Sequence, residues 1–378
     1  MATPPERLVV RGVNWLGDAV MSTPALLRLR AALPRAHIAL LTAAKLAPLW
    51  ERHPAIDQVI SFTGEDSVIG IARRLRSGGF DTALVLPNSP RSALEVFLAG
   101  IPHRVGCARP WRNLLLTQAI PARVDEVTMH KRSRREVERL IGEPTVAGAL
   151  PPSSAHHLHH YLHLTAALGA NRDPLPPLIA VLESEVDSVR ARFVTEAMRG
   201  KPLVGLNAGA EYGPAKRWPR ERFVEAGIAL QQRSGCAIWI FGGPADVHVA
   251  RGIAQEIQSA AGATPGTVRC LAGETPLREL CAALKACDVV LTNDTGPMHV
   301  AAAVGTPVVV PFGSTSPELT GPGLPGDPRH RLIKSDAPCS PCFLRECPID
   351  FRCMKGLSVS ALVEATLSAL VGRIKNFL

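Results

Sequence analysis

Four groups of residues in this chain have the types and spacing that chemistry needs. The first is Asn293-Asp294-Thr295-Gly296-Pro297, where an apolar run at 288–292 passes into a small-residue helical stretch at 298–304. Asp294 or Thr295 can cap that helix, and Pro297 suits its first turn. The N–H groups of Gly296, Met298 and His299, with the helix dipole behind them, would then face an anion such as a phosphate. Gly296 leaves room for close approach, and His299 adds a donor one turn in. The plainer alternative is an ordinary capped helix with a core histidine. The turn FGSTS at 312–316, at the next strand end on the same rim, favours the anion site.

The second group is NAGAEYGPAKRWP at 207–219, again between a strand and a helix. Lys216 offers a mobile positive charge to a diphosphate leaving group, and Arg217 can assist. A solvated loop with surface cations is the alternative. At 241–246, FGGPAD forms a third strand-end turn; Asp246 either accepts from a ribose or adenine amine or simply closes the turn. The third group is Gly12…Gly17-Asp18, which does not spell the GxGxxG fingerprint. Asp18 opens a helix, so it is either a cap or a general base held ionised by the helix dipole. Arg91 and Lys45 are cationic candidates for an acidic acceptor, or plain surface. The fourth group is Cys339, Cys342, Cys347 and Cys353, spaced Cx2Cx4Cx5C. Four thiolates can hold Zn²⁺ tetrahedrally; free thiols or a disulfide are the alternatives. The histidine tract at 156–163 reads as one helix turning toward a cleft rather than as a metal site.

These residues need a frame, and the pattern supplies one. Strand-like runs at 8–10, 37–41 and 82–86 alternate with a helix at 19–32 that Pro34 ends. The rhythm breaks at 121–155, which holds a charged helix at 131–139 and a Pro/Gly/Ser-rich stretch; NRDPLPP at 171–177 is the expected linker. The rhythm then restarts. Strands are expected at 203–206, 237–241, 288–292 and 307–311, with helices at 223–233, 277–286, 298–304 and 358–374. This alternation predicts an α/β chain of two doubly wound, Rossmann-like domains. The expected division is 1–175, 176–356 and a closing helix at 357–378 that packs back toward the N-terminal domain. Ligands in such sheets sit beyond the carboxyl ends of the strands, so a cleft between facing domains is the expected active site.

Composition narrows the function class. Lys and Arg number 42 against 33 Asp and Glu, a net charge of +9, which favours anionic partners. No basic stripe interleaved with aromatics and no nucleic-acid motif accompanies that charge, so nucleic acid is not an expected partner. No apolar run is long enough to span a bilayer, and the N-terminus lacks a signal-peptide pattern. A cytoplasmic location follows, in which the nine cysteines are expected to be free or metal-bound.

The chain resembles glycosyltransferase family nine, the ADP-heptose:lipopolysaccharide heptosyltransferases, over nearly its whole length. The motifs are VNWLGDAVMSTPAL at 13–26, LPNSPRSAL at 86–94, AGIPHRVG at 99–106, NAGAEYGPAKRWP at 207–219, LAGETPL at 271–277 and TNDTGPMHVAAAVGTP at 292–307. LPNS and GAEYGPAKRWP favour the branch that adds the second heptose over the paralogue that adds the first; another nucleotide-sugar transferase is the remaining alternative. The resemblance implies a GT-B architecture, with the acceptor on the N-terminal domain and ADP-heptose on the C-terminal one. It implies inverting transfer of L-glycero-D-manno-heptose onto the first heptose of the lipopolysaccharide inner core. Asp18 then matches the family's base and Lys216 the lysine on the donor phosphates. Asp294, Thr295, Gly296 and His299 match the donor block, joined by Gly17, Asn207, Gly209, Arg217 and Asp246. Asn88, Ser89 and Arg91 form the acceptor set. ADP-heptose is a substrate, so no cofactor is required and no metal for the chemistry; a structural Zn at the four cysteines is a separate matter. The implied partners are ADP-heptose and heptosylated Kdo2-lipid A, met peripherally at the cytoplasmic face of the inner membrane. The basic N-terminal domain and the helix at 131–139 suit an anionic membrane surface.

Overall fold

The computed structural model describes residues 4–142, 150–260 and 262–375. The chain divides into two units, one formed by Met1–Glu126 with Ser154–Ala180 and one by Val127–Ser153 with Val181–Leu378.

The first unit is built on β1 (Arg7–Arg11), α1 (Leu16–Ala32), β2 (His37–Ala43), β3 (Gln58–Phe62), α2 (Val68–Ser77), β4 (Thr82–Val85), α3 (Pro90–Leu98), β5 (His103–Cys107) and β6 (Gln118–Ile120). Its six strands are parallel, in the order β3-β2-β1-β4-β5-β6. Leu8, Val9 and Val10 of β1 and Ala83, Leu84 and Val85 of β4 are fully buried. That is the mark of a parallel sheet covered on both faces, which reads in sequence as a continuous apolar run. Helix α4 (Arg134–Gly142) follows and belongs to the second unit, and α5 (Leu158–Ala166) returns to the first, where it packs along α1.

The second unit carries α6 (Glu183–Phe193), β7 (Leu203–Asn207), α7 (Arg220–Ser234), β8 (Ala237–Phe241), α8 (Val247–Ser259), β9 (Val268–Cys270), α9 (Leu277–Ala286), β10 (Val289–Thr292), α10 (Gly296–Ala303), β11 (Val308–Phe312), α11 (Pro317–Thr320), β12 (Arg331–Lys334), α12 (Arg352–Lys355) and α13 (Val359–Lys375). Its strand order is β9-β8-β7-β10-β11-β12, the order of the first sheet repeated strand for strand. Each sheet therefore reverses direction at one place, between β1 and β4 in the first and between β7 and β10 in the second. Crevices at such reversal points, beyond the strand carboxyl ends, are where doubly wound sheets hold ligands.

Two expectations about the division change. The boundary falls at 180/181, and the charged segment around α4 groups with the second unit. Val137 of α4 is buried against Cys339 and Cys342, which is what holds it there. Part of the Pro-rich stretch expected within 121–155 lies outside the described residues. The closing helix α13 packs on α7, β10, β11 and β12 of the second unit. Its Leu362, Val363 and Leu370 join that unit's core, so burial of its apolar side fixes it there. Among the described residues, no helix is long and apolar enough to cross a membrane.

Candidate functional site

In the second unit, the loops after β7 and β10 meet at the reversal point. Asn207 ends β7 and donates to Thr292 Oγ1 at the end of β10, 3.0 Å away. Asn293 ties the loops together: its side-chain amide donates to Ala208 O at 2.8 Å, and its Oδ1 accepts from Trp218 N at 3.0 Å. These bonds close the loop at 208–217 over the strand ends and bring Lys216 to Asp294. Lys216 Nζ lies 2.6 Å from Asp294 Oδ2, with side-chain exposures of 14% and 4%. The same oxygen accepts from Thr315 Oγ1 at 2.6 Å, in the FGSTS turn after β11. Lys216 also stands over the Tyr212 ring, 5.0 Å from its centroid, and Arg345 stands 5.2 Å from that centroid. The Tyr212 hydroxyl donates to Phe343 O at 2.8 Å, and Ala215 N donates to Arg345 O at 3.0 Å.

The helix start at α10 is present, but it is capped differently from expectation. Thr295 occupies the cap position in extended conformation without a side-chain cap bond, and Pro297 sits in the first turn. Asp294 is not a cap; its carboxylate is taken by Lys216 and Thr315. Of the amides expected to face an anion, Met298 N is instead bonded to Thr295 O at 3.1 Å. His299 is buried within the helix. The result is a helix N-terminus beside a lysine whose ammonium is fixed by a carboxylate and an aromatic ring. Such an arrangement stabilises negative charge at a defined place.

Asp246 follows β8 and accepts from Gly243 N at 3.1 Å, while its other oxygen lies 3.9 Å from Arg217 Nη2. Gly209 is required there, because a Cβ would collide with the Asp246 carboxylate. Asp246 thus joins the loops after β7 and β8, and its turn-closing reading is realised.

In the first unit, α1 begins at Leu16, so Gly17 and Asp18 lie inside its first turn rather than before it. The cap residue is Trp15 and makes no side-chain cap bond, so Asp18 does not act as the cap. Lys45 stands 6.0 Å from the Trp15 ring centroid. The loop leading to Asp18 is anchored by Arg11 at the end of β1. Arg11 forms a buried ion pair with Glu95 at 2.8 Å and donates to Gly12 O and Asn14 Oδ1. Asp18 and His157 are half-buried, with Oδ1 to Nε2 at 3.7 Å. His157 Nε2 is 3.1 Å from the Tyr161 hydroxyl, and Tyr161 is buried. Burial together with the Asp18 charge and hydrogen bond pushes the Tyr161 pKa well up. Desolvation pushes His157 down, against the pull of Asp18.

The expected acceptor residues gather after β4. Asn88 Oδ1 accepts from the Cys107 thiol at 2.7 Å. Ser89 caps α3, accepting from Ser92 N, and Arg91 pairs with Glu95 at 3.4 Å and donates to Asp66 O. Arg112 is buried and donates to Pro87 O at 2.8 Å and to Cys107 O, which joins the loops after β4 and β5.

The four cysteines do not form the metal cage their spacing offered. All are free thiols, and among the described residues no group of three His, Cys, Asp or Glu is set to hold a metal ion. Packing turns the thiols toward different apolar clusters. Cys339 and Cys342 face Val137, Ile141, Leu344 and Ile349, while Cys353 joins the main core beside Met354. The Cys347 sulfur accepts from Phe351 N at 3.2 Å. Burial and the neighbouring thiols push the Cys353 pKa up to about 12. The segment instead braces the Lys216 loop through Phe343 and Arg345. It is pinned to the FGSTS turn by Cys342 N and Phe343 N, which both donate to Ser314 O.

Arg11, Glu95, Arg112, Tyr161, Tyr212, Thr315 and Arg345 carry these sites and were not singled out from sequence. Only the FGSTS turn, the histidine tract and the NAGAEYGPAKRWP loop, which hold Thr315, Tyr161 and Tyr212, gave any signal of them.

Comparison with known proteins identifies the family. The profile of glycosyltransferase family 9 (heptosyltransferase) matches residues 68–351. Lipopolysaccharide heptosyltransferase 2 of Salmonella typhimurium is 33% identical over 322 residues, 84% of this chain and 85% of that protein. The Escherichia coli protein of the same name is also 33% identical, with the same coverage. The structure of E. coli ADP-heptose lipopolysaccharide heptosyltransferase II superposes with a TM-score of 0.74 at 27% identity, covering 97% of this chain and 99% of that one. The two six-stranded parallel sheets are those of the GT-B heptosyltransferases. With three quarters of its length inside the family profile, the chain is a glycosyltransferase and belongs to glycosyltransferase family 9, the heptosyltransferases.

Proposed function

We propose that this enzyme transfers L-glycero-D-manno-heptose from ADP-heptose onto the first heptose of the lipopolysaccharide inner core, with inversion at the anomeric carbon. The observation that carries the reading is Lys216, fixed 2.6 Å from Asp294 beside the start of α10. A diphosphate leaving group needs positive charge that is already in place when the bond breaks, and an ammonium held from two sides supplies it. Asp294 bears negative charge and so orients Lys216 rather than touching phosphate. Asp246, Arg217, Asn207 and Gly209 shape the donor loops around it.

Asp18 supplies the base. It takes the proton of the acceptor hydroxyl as that oxygen bonds to the anomeric carbon. The bond to the diphosphate breaks on the opposite face, and its electron pair leaves with ADP. Lysine and helix dipole do the work a divalent cation does in other nucleotide-sugar transferases. Asn88, Ser89 and Arg91 lie on the rim that would meet the acceptor sugar.

The acceptor is a lipid, and the enzyme works peripherally at the cytoplasmic face of the inner membrane. Two large apolar side chains support this. Trp111 and Leu114 are 86% and 81% exposed on the loop after β5, on the same strand-end rim as Asn88. Exposed aromatic and aliphatic residues near basic ones suit a membrane interface. The test is incubation with ADP-heptose and a defined mono-heptosylated core lipid. One ADP released per second heptose added supports the assignment. Turnover only with an acceptor lacking the first heptose moves it to the paralogous reaction.

A further inference from the structure

Behind Asp18 stands a chain of polar groups that the transfer reaction, as described, does not use. Helix α5 lies along α1 and presents His157 and Tyr161 to the first turn of α1. The phenol oxygen is 3.1 Å from His157 Nε2 and is hydrogen-bonded to Asp18. His157 Nε2 is 3.7 Å from Asp18 Oδ1, too far for a direct bond. Asp18 Oδ1 and the phenol oxygen thus both face the same imidazole nitrogen.

We propose that Tyr161 and His157 form a relay that aims Asp18 and removes the proton it collects from the acceptor. The proposal rests on the reading of Asp18 as the base. After transfer, protonated Asp18 gives its proton to the Tyr161 oxygen while the Tyr161 proton passes to Nε2 of neutral His157. The products are a carboxylate, a neutral phenol and an imidazolium. His157 is 30% exposed, so the imidazolium loses its proton to solvent and the cycle closes without any other reactant.

The surroundings suit each step. Burial and the Asp18 charge disfavour a phenolate, so Tyr161 passes protons without ionising. Desolvation and Arg123 disfavour the imidazolium, while Asp18 and Glu126 favour it. The net effect lowers the His157 pKa, so the neutral imidazole is the favoured resting form. His160 stacks on His157 at 5.5 Å between ring centroids and is pushed down to about 3 by burial. It stays neutral and places no charge against its neighbour. Tyr161 and His157 do not touch the substrate in this scheme; they act through Asp18 as positioning residues.

The experiment measures transfer rates against pH for the wild type, Tyr161→Phe, His157→Ala and Asp18→Asn. Loss of the phenol donor should lower kcat about tenfold, leave KM for ADP-heptose nearly unchanged and move the acid limb of kcat/KM to higher pH. His157→Ala should lose a similar factor and regain part of it in added imidazole. A merely structural role gives neither a shifted limb nor rescue. Inactive Asp18→Asn beside wild-type profiles in the other two variants overturns the relay and leaves the base. Active Asp18→Asn overturns the base itself. Should Tyr161→Phe fail to fold, His157→Ala at its half-buried site still decides: rescue supports the relay, and undiminished turnover overturns it.

Discussion

The two sheets of this enzyme share one strand order and differ in what stands where that order reverses. After β1 and β4 the first unit places a carboxylate, Asp18, backed by a phenol and an imidazole. After β7 and β10 the second unit places an ammonium, Lys216, backed by a carboxylate and an aromatic ring. The frame is the same; the charge is opposite. A doubly wound sheet dictates where a ligand is met, at the carboxyl ends beside the reversal. It does not dictate what is done to that ligand, which depends on the side chains at the loop ends. Here the contrast matches the two needs of glycosyl transfer: a group that accepts a proton and a group that receives a leaving diphosphate.

That contrast can be broken most forcefully at Asp18. Asp18→Asn should lower turnover by about 10³-fold, the scale of general-base loss, while heat of ADP binding in a calorimeter stays as in the wild type. Lys216→Ala comes next. Removing one positive donor from a leaving-group site costs on the order of 10²–10³-fold in rate, and ADP affinity should fall with it. The same change leaves Asp294 buried without its cation. Thermal melting should therefore also show a loss of about 3 kcal/mol, which Asp18→Asn should not share.

A third variant addresses the frame beneath Asp18. Glu95→Gln removes the charge that Arg11 pairs with inside the first unit, both side chains being almost fully buried. A stability loss of about 3 kcal/mol is expected, read by denaturant unfolding, with ADP affinity unchanged. Acid should also separate the two units, with a smaller effect. His53 is held down to about 4 and His160 to about 3, both by burial, against a free-side-chain value of 6.5. Since the folded values lie below the unfolded one, the unfolded chain takes up these protons first. The stabilisation is present above about 6.5 and declines as pH falls toward 4 and then 3. The second unit holds His330, lowered to about 4 in the same way. The first unit should loosen earlier on acid titration. Trp50, edge-on to His53 at 5.3 Å, is a local fluorescence reporter for it.

Much of this is legible in the sequence. The apolar runs at 203–206, 237–241 and 289–292 are buried strands, and the glycine- and proline-rich turns after them mark the rim. Lys216 and Asp294 were both singled out, yet each was assigned to phosphate or cap, not to the other. The reason is topological. β7 and β10 are adjacent only because the sheet order reverses, and no local pattern encodes that pairing. Tyr161 and Asp18 meet for a similar reason, through the packing of α5 on α1. The short edge strand β12, Arg331–Lys334, has only Leu332 and Ile333 between two cations, too short an apolar run to give a strand signal. The cysteine spacing misled because spacing does not report direction. The thiols are close enough to raise one another's pKa, but packing turns them toward separate apolar clusters. What the segment does, bracing Tyr212 and the Lys216 loop, rests on backbone carbonyls at Phe343 and Arg345 that any residue type could offer.

The division of labour between the two reversal points is tested most directly by titrating ADP into Asp18→Asn and Lys216→Ala by calorimetry, with the wild type alongside. The account predicts wild-type affinity in Asp18→Asn and at least about tenfold weaker binding in Lys216→Ala, a loss of about 1.4 kcal/mol. Weakened binding in Asp18→Asn, or wild-type affinity in Lys216→Ala, would contradict it.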